Sequence, residues 1–243
     1  MRNILIVAPL AAIAAACSAG ARQGEEASGE QGRRDFQVGA FESVSLEGSH
    51  DVVVTVGGQP SVRAEGDAEA LERLEIAVED GSLRISSERR SGWSWRRNRG
   101  RVTVYVTAPS LNAAAIGGSG DMRIDRVQAE RFRASIGGSG NLEIAALQAR
   151  QVSFSVAGSG NVRASGQAEE ADVSVAGSGD LALEGLATRR ADVSIVGSGD
   201  VAIRASETVD ASIMGSGDVN VTGGARCTVS KMGSGDVHCA NRA

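Results

Sequence analysis

A chain of 243 residues has room for one extended domain or two small ones. Hydrophobic residues make up an ordinary 42%, but aromatics only 3%, so the interior must be built from Val, Ile, Leu and Ala, which suits thin stacked layers. The net charge of −5 supplies no general attraction to nucleic acid, and no nucleic-acid partner is expected.

Residues 1–16 read as an export signal. Arg2 is a short positive start, Ile4 to Ala16 is apolar apart from one Pro, and small residues precede Cys17. The run is short for a membrane span. Ala14-Ala15-Ala16-Cys17 resembles a bacterial lipobox, with Ala14 where Leu is usual, so Cys17 is expected to carry lipid. Plain secretion and an uncleaved anchor helix are the alternatives. Ser18 follows the Cys, not Asp, which points to delivery to the outer membrane. An exported chain meets an oxidising compartment, where Cys227 and Cys239 are expected to pair as a disulfide, two buried free thiols being the alternative.

Residues 17–34 comprise the lipidated Cys and a Gly/Glu/Gln/Ser/Ala stretch without apolar period, which reads as a tether. Residues 35–110 form a strand-rich part. Alternating segments at 41–46, 52–56, 62–65, 83–87 and 102–107 predict strands with one buried face. Asp67 can cap one short helix, with Ala70, Leu71 and Leu74 on its apolar side.

Residues 111–240 are dominated by an internal repeat. Gly-Ser-Gly followed by Asp or Asn starts at Gly118, Gly138, Gly158, Gly177, Gly197, Gly215 and Gly233, at spacings of 20, 20, 19, 20, 18 and 18. A degenerate copy, Gly48-Ser49-His50-Asp51, precedes them. The flanks repeat as well. Two residues before the first Gly stand Ile116, Ile136, Val156, Val175, Ile195, Ile213 and then Lys231. Directly after the motif comes an apolar residue, from Met122 to Val237, and a Ser column lies between two apolar ones. Period-two alternation means strands. A unit this short cannot bury its own apolar face, and stacking like on like from coil to coil solves that. The expectation is an all-β solenoid of 18–20-residue coils, each of about two short strands joined at the corner, with rungs roughly 4.8 Å apart.

The Gly-Ser-Gly-Asp/Asn corners, the strand-rich first half and the run Val102-Thr-Val-Tyr-Val-Thr-Ala-Pro-Ser-Leu111 resemble the bacterial GIN-domain family, the autotransporter-adhesin head domains, over roughly residues 35–240. The resemblance implies a right-handed parallel β-helix in the cell envelope. It brings no catalytic residues to carry over.

Two features of the sequence could carry chemistry. The column Asp121, Asn141, Asn161, Asp180, Asp200, Asp218 and Asp236 would stack acids close enough to repel or to hold cations. Two of its members are uncharged, which favours a structural ladder bonded to backbone N–H groups. The second feature is the segment from Arg89 to Arg101. It holds Arg89, Arg90, Arg96, Arg97, Arg99 and Arg101 with Trp93 and Trp95 and no acid, so it carries +6 and leaves −11 on the rest. Arg with aromatics suits anionic sugars or lipid headgroups. A solvated hairpin tip is the plainer alternative. The serines lack a nearby sequence base, and His50, His238, Cys227 and Cys239 match no zinc spacing, so neither a catalytic residue nor a metal or cofactor is expected.

The composite expectation is a non-catalytic, lipid-anchored envelope module of adhesin type, contacting the membrane through its lipid and an anionic glycan or lipid surface. A purely structural or stress-linked lipoprotein is the first alternative, and a polysaccharide-cleaving enzyme the second.

Overall fold

The computed structural model of the chain describes residues 30–88 and 100–240. The first half holds strands β1 (Gln31–Phe36), β2 (Ser43–Gly48), β3 (Asp51–Val56) and β4 (Ser61–Asp67), helix α1 (Ala68–Glu72), then β5 (Leu74–Glu79), β6 (Ser82–Ser87), β7 (Val102–Ala108) and β8 (Ala113–Gly118). The second half holds β9 (Met122–Gly138), β10 (Leu142–Gly158), β11 (Val162–Gly177), β12 (Leu181–Gly197), β13 (Val201–Gly215), β14 (Val219–Thr222), β15 (Arg226–Gly233) and β16 (Val237–Cys239). The molecule is a β-solenoid of about six turns.

Each coil from β9 to β13 is one bent strand of 15–17 residues, not two short ones. Only the Gly-Ser-Gly-Asp/Asn corner interrupts the ladder. At the opposite bend pairing continues through local register shifts, as between Ile144 and Leu147 and between Leu183 and Ala187. Those shifts absorb the difference between coils of 18, 19 and 20 residues.

The seven corners fall in one line. Gly118 pairs with Gly138, Gly138 with Gly158, and so on to Gly215 with Gly233, all in parallel register. The degenerate copy joins the same line, since Gly48 pairs with Gly118. Inward residues therefore stack on their own counterparts. Leu46, Ile116, Ile136, Val156, Val175, Ile195 and Ile213 make one column, each no more than 2% exposed. Burying such an aliphatic side chain contributes roughly 1.5–3 kcal/mol. The repeated coils bury two large rings, in different columns: Phe154 lies between Ala134 and Val173, and Phe132 lies against Val152. A column with too many rings would pry the rungs apart, which accounts for the low aromatic content.

The first half is threaded out of order. Strand β6 pairs in parallel with β2, and β7 with β3, on the side away from β8 and β9. The β6–β7 rung thus lies outside the β2–β3 rung although it comes later in the chain. Antiparallel strands close this end: β4 on β7, β1 on β4 and β5 on β6. Helix α1 is capped as expected, with the Asp67 carboxylate accepting from the Ala70 N–H at 3.0 Å. The folded part begins earlier than expected. Strand β1 already pairs from Gln31, so the last four residues assigned to the tether belong to the sheet.

Candidate functional site

The corners are built by close backbone approach. The N–H groups of Ser139 and Gly140 both donate to the Gly118 carbonyl, at 2.8 and 3.1 Å, and the pattern recurs up the edge. A Cβ at Gly160 would stand 2.2 Å from the Gly140 carbonyl oxygen, so no larger residue fits.

The Asp/Asn column bonds from rung to rung. Asp121 Oδ1 accepts the Asn141 backbone N–H at 3.0 Å, Asn161 Oδ1 that of Asp180 at 2.9 Å, and Asp200 Oδ1 that of Asp218 at 2.8 Å. The amides of Asn141 and Asn161 add side-chain bonds to the member below, at 2.8 and 2.9 Å. Each side chain thus satisfies the backbone of the next coil. Asp236 is the last member of the row among the described residues. There Lys231, in the column otherwise filled by Leu46 and then Ile or Val, donates from Nζ to Asp236 Oδ1 at 2.7 Å and to the Gly235 carbonyl at 3.2 Å. That bond, and then the ammonium charge, lowers the Asp236 pKa. Among the described residues no three His, Cys, Asp or Glu side chains are grouped to hold a metal.

On the strands leading into the corners, the outward face presents three parallel rows. Asp172, Asp192 and Asp210 pair in register. Two residues on, Ser155, Ser174, Ser194, Ser212 and Ser230 do the same. These two rows line an open groove of about 550 Å³. Partial burial, then the charges of Asp172 and Asp210, raise the Asp192 pKa. Two residues further stands a third row: Gly117, Gly137, Ala157, Ala176, Val196, Met214 and Met232. The acidic and apolar rows were missed in the sequence, although both were readable two residues either side of the Ser column.

At the other end of the corner line His50 stands where every later copy has Gly. A side chain fits there because the rung outside, β6–β7, has no Gly-Ser-Gly corner to press on it. His50 is buried, and its Nε2 lies 2.5 Å from Ser87 Oγ. Burial lowers its pKa, with Asp51 opposing and Arg73 adding to the effect. This Ser–His pair joins residues 37 apart and left no mark in the sequence. Among the described residues no carboxylate is hydrogen-bonded to the imidazole, so the pair is not oriented as a nucleophile and base usually are.

Cys17 and residues 89–99 lie outside the described residues. The ends of the Arg/Trp segment are described. The Glu88 N–H donates to the Arg73 carbonyl at 3.0 Å, and the Arg101 carbonyl accepts from the Asp67 N–H at 3.2 Å. Residues 88–101 therefore connect β6 to β7 where other rungs turn a corner, at the end of the solenoid that also carries β1. At the opposite end Cys227 and Cys239 are joined, 12 residues apart, stacked on Val209 and Val221.

No match is found among curated proteins. Solved structures similar to the chain include a "putative adhesin" from Bacteroides fragilis NCTC 9343, with TM-score 0.77 and 22% identity, over 87% of this chain and 97% of that one. A "putative lipid binding protein" from Parabacteroides distasonis ATCC 8503 superposes with TM-score 0.71 at 24% identity, over 88% and 98%. A "putative adhesin" from Parabacteroides merdae ATCC 43184 gives 0.69 at 18%, over 88% and 97%. At these identities the likeness shows the fold alone. The sequence itself matches, over residues 40–225, the model of a family described as "Putative auto-transporter adhesin, head GIN domain", and the chain belongs to that family.

Proposed function

We propose that this protein is a non-catalytic binding module of the cell envelope, held to a membrane by lipid on Cys17 and contacting anionic glycan or lipid headgroups through residues 89–101. The observation that carries the reading is the placement of the segment's two ends. Glu88 and Arg101 sit on the β6–β7 rung, and β1, where the tether enters, is two strands away through β4. The start of β1 and the two ends of the segment share one end of the solenoid, the end that a lipid on Cys17 would hold near a membrane. The names of the similar structures, adhesins and a lipid binding protein, accord with a surface target.

Binding to isolated envelopes tests this. Affinity is expected to fall with salt, since charge pairing is screened over roughly 8–10 Å at physiological ionic strength. Replacing Trp93 and Trp95 by Ala lowers affinity with little change in that salt dependence. Replacing the six Arg by Ser removes both. An Arg-free protein that binds as well as its parent would leave the segment a solvated connector and favour the structural lipoprotein.

A further inference from the structure

Five large apolar side chains stand exposed among the described residues, and four of them, Val196, Met214, Val229 and Met232, cluster on the last three rungs. Val196, Met214 and Met232 are consecutive members of one outward row, 51%, 55% and 70% exposed. The row grows from Gly through Ala to Val and Met toward this end of the solenoid. Three stacked side chains at a rung spacing of about 4.8 Å make an apolar strip on the order of 10 Å long. Met is suited to such a place because its unbranched, polarisable side chain adapts to a partner and packs favourably against aromatic rings.

The surroundings of the strip are acidic. Asp192 and Asp210 lie on one side, beyond the Ser row, and Asp200, Asp218 and Asp236 on the other, around the corner. Against these five carboxylates the bordering rows of the same rungs hold Arg190, Arg226 and Lys231, and two of these are already paired, Arg190 with Glu170 and Lys231 with Asp236. What covers this strip must therefore be apolar and cationic together.

We propose that the strip docks residues 89–101 of a second copy of this chain, joining the N-terminal end of one solenoid to the C-terminal end of another. The segment has the complementary chemistry: two Trp for the Met row and six Arg for the flanking carboxylates. A chain's own segment does not reach its own strip. Met214 lies seven rungs from the β6–β7 rung, about 34 Å at the ladder spacing. Fourteen residues that leave and return extend at most about 25 Å. The contact is heterologous, so it propagates head to tail unless a ring closes. It gives the segment a second target and does not depend on the envelope-binding reading.

The test is sedimentation equilibrium on the full chain carrying Cys17→Ser, which removes the lipid site. The parent is expected to associate with rising concentration and to dissociate in high salt. The double variants Met214→Ser/Met232→Ser and Trp93→Ala/Trp95→Ala should each weaken association by about tenfold or more, the effect of losing two such contacts. The decisive arm mixes them. One variant keeps its segment and the other its strip, so the mixture forms a dimer that cannot grow further. Both Met side chains are exposed, so unchanged thermal melts are expected and exclude misfolding. A parent that stays monomeric at every concentration overturns the proposal. So does association that survives the Met variant, or that the Met variant loses and the Trp variant keeps, which would mark a contact between two strips. Envelope binding measured on the Met variant separates the two readings, because only the segment serves both.

Discussion

At the scale of single residues, the corner tolerates almost nothing and the neighbouring row tolerates much. Gly160→Ala would press its Cβ onto the Gly140 carbonyl oxygen at 2.2 Å and Ile136 Cγ2 at 2.7 Å, both held by the ladder. A loss of about 3 kcal/mol is expected in denaturant unfolding, the upper range of overpacking against fixed neighbours. Gly137→Ala is the control. Its Cβ would come no nearer than 3.9 Å to the Ile116 carbonyl, and the same row holds Ala157 and Ala176, so a change within about 0.5 kcal/mol is expected. His50 brings an imidazole to a corner position that is Gly in every later copy. Burial holds its pKa below the usual 6.5, with Arg73 acting in the same sense and Asp51 against it. The unfolded chain then takes up the proton first. The stability contributed by neutral His50 is complete above 6.5 and is lost as pH falls below that value toward the folded pKa. Thermal melts of His50→Gln should lack that part of the acid loss. Identical pH profiles for parent and variant would remove His50 from the account. The Gly-Ser-Gly signature announced the corners, but the exception at His50 was intelligible only once the cornerless rung outside it was seen.

At the scale of elements, the repeat rows carried most of what could be read. The inward residues flanking each corner in β9 to β13 follow from the alternation there, whereas Val127, Leu147 and Leu186, past the opposite bend, fall out of that period. The same alternation in β2, β3, β4, β6 and β7 located those strands to within a few residues. Strands β1 and β5 escaped because they are edge strands. β1 is mostly exposed, with charges at Arg33, Arg34 and Asp35, and β5 buries only Leu74 fully. Charged edges of this kind discourage further strands from adding, and the price is a weak apolar pattern. The last coil shows a different solution. Strand β15 is packed from one side only, and its residues are exposed apart from Cys227. Cys227 and Cys239, six residues either side of Gly233, tie β15 to β16 across the corner. Replacing both by Ala should cost about 3 kcal/mol on a loop-closure estimate. Hydrogen exchange is expected to show the loss in β14 to β16 first, with β9 to β12 protected as before. Uniform loss through all coils would mean that the solenoid unfolds as one unit.

At the scale of the whole molecule, the repeat governs the length and the line of the solenoid, and the threading of the first half governs its poles. A basic aromatic segment is rooted at one end, and an apolar strip among carboxylates lies at the other. By itself the sequence determined the solenoid, the stacking of its corners and the identity of the inward columns. In a parallel in-register stack each residue's neighbours are its own counterparts one repeat away, so a local pattern is already a map of tertiary contacts. Only the tertiary structure decided that β6 and β7 lie outside β2 and β3, that Ser87 meets His50, and that Lys231 closes the Asp ladder instead of entering the core. Those contacts depend on crossing connections and on where the stack ends. Neither leaves a period in the chain, because each occurs once.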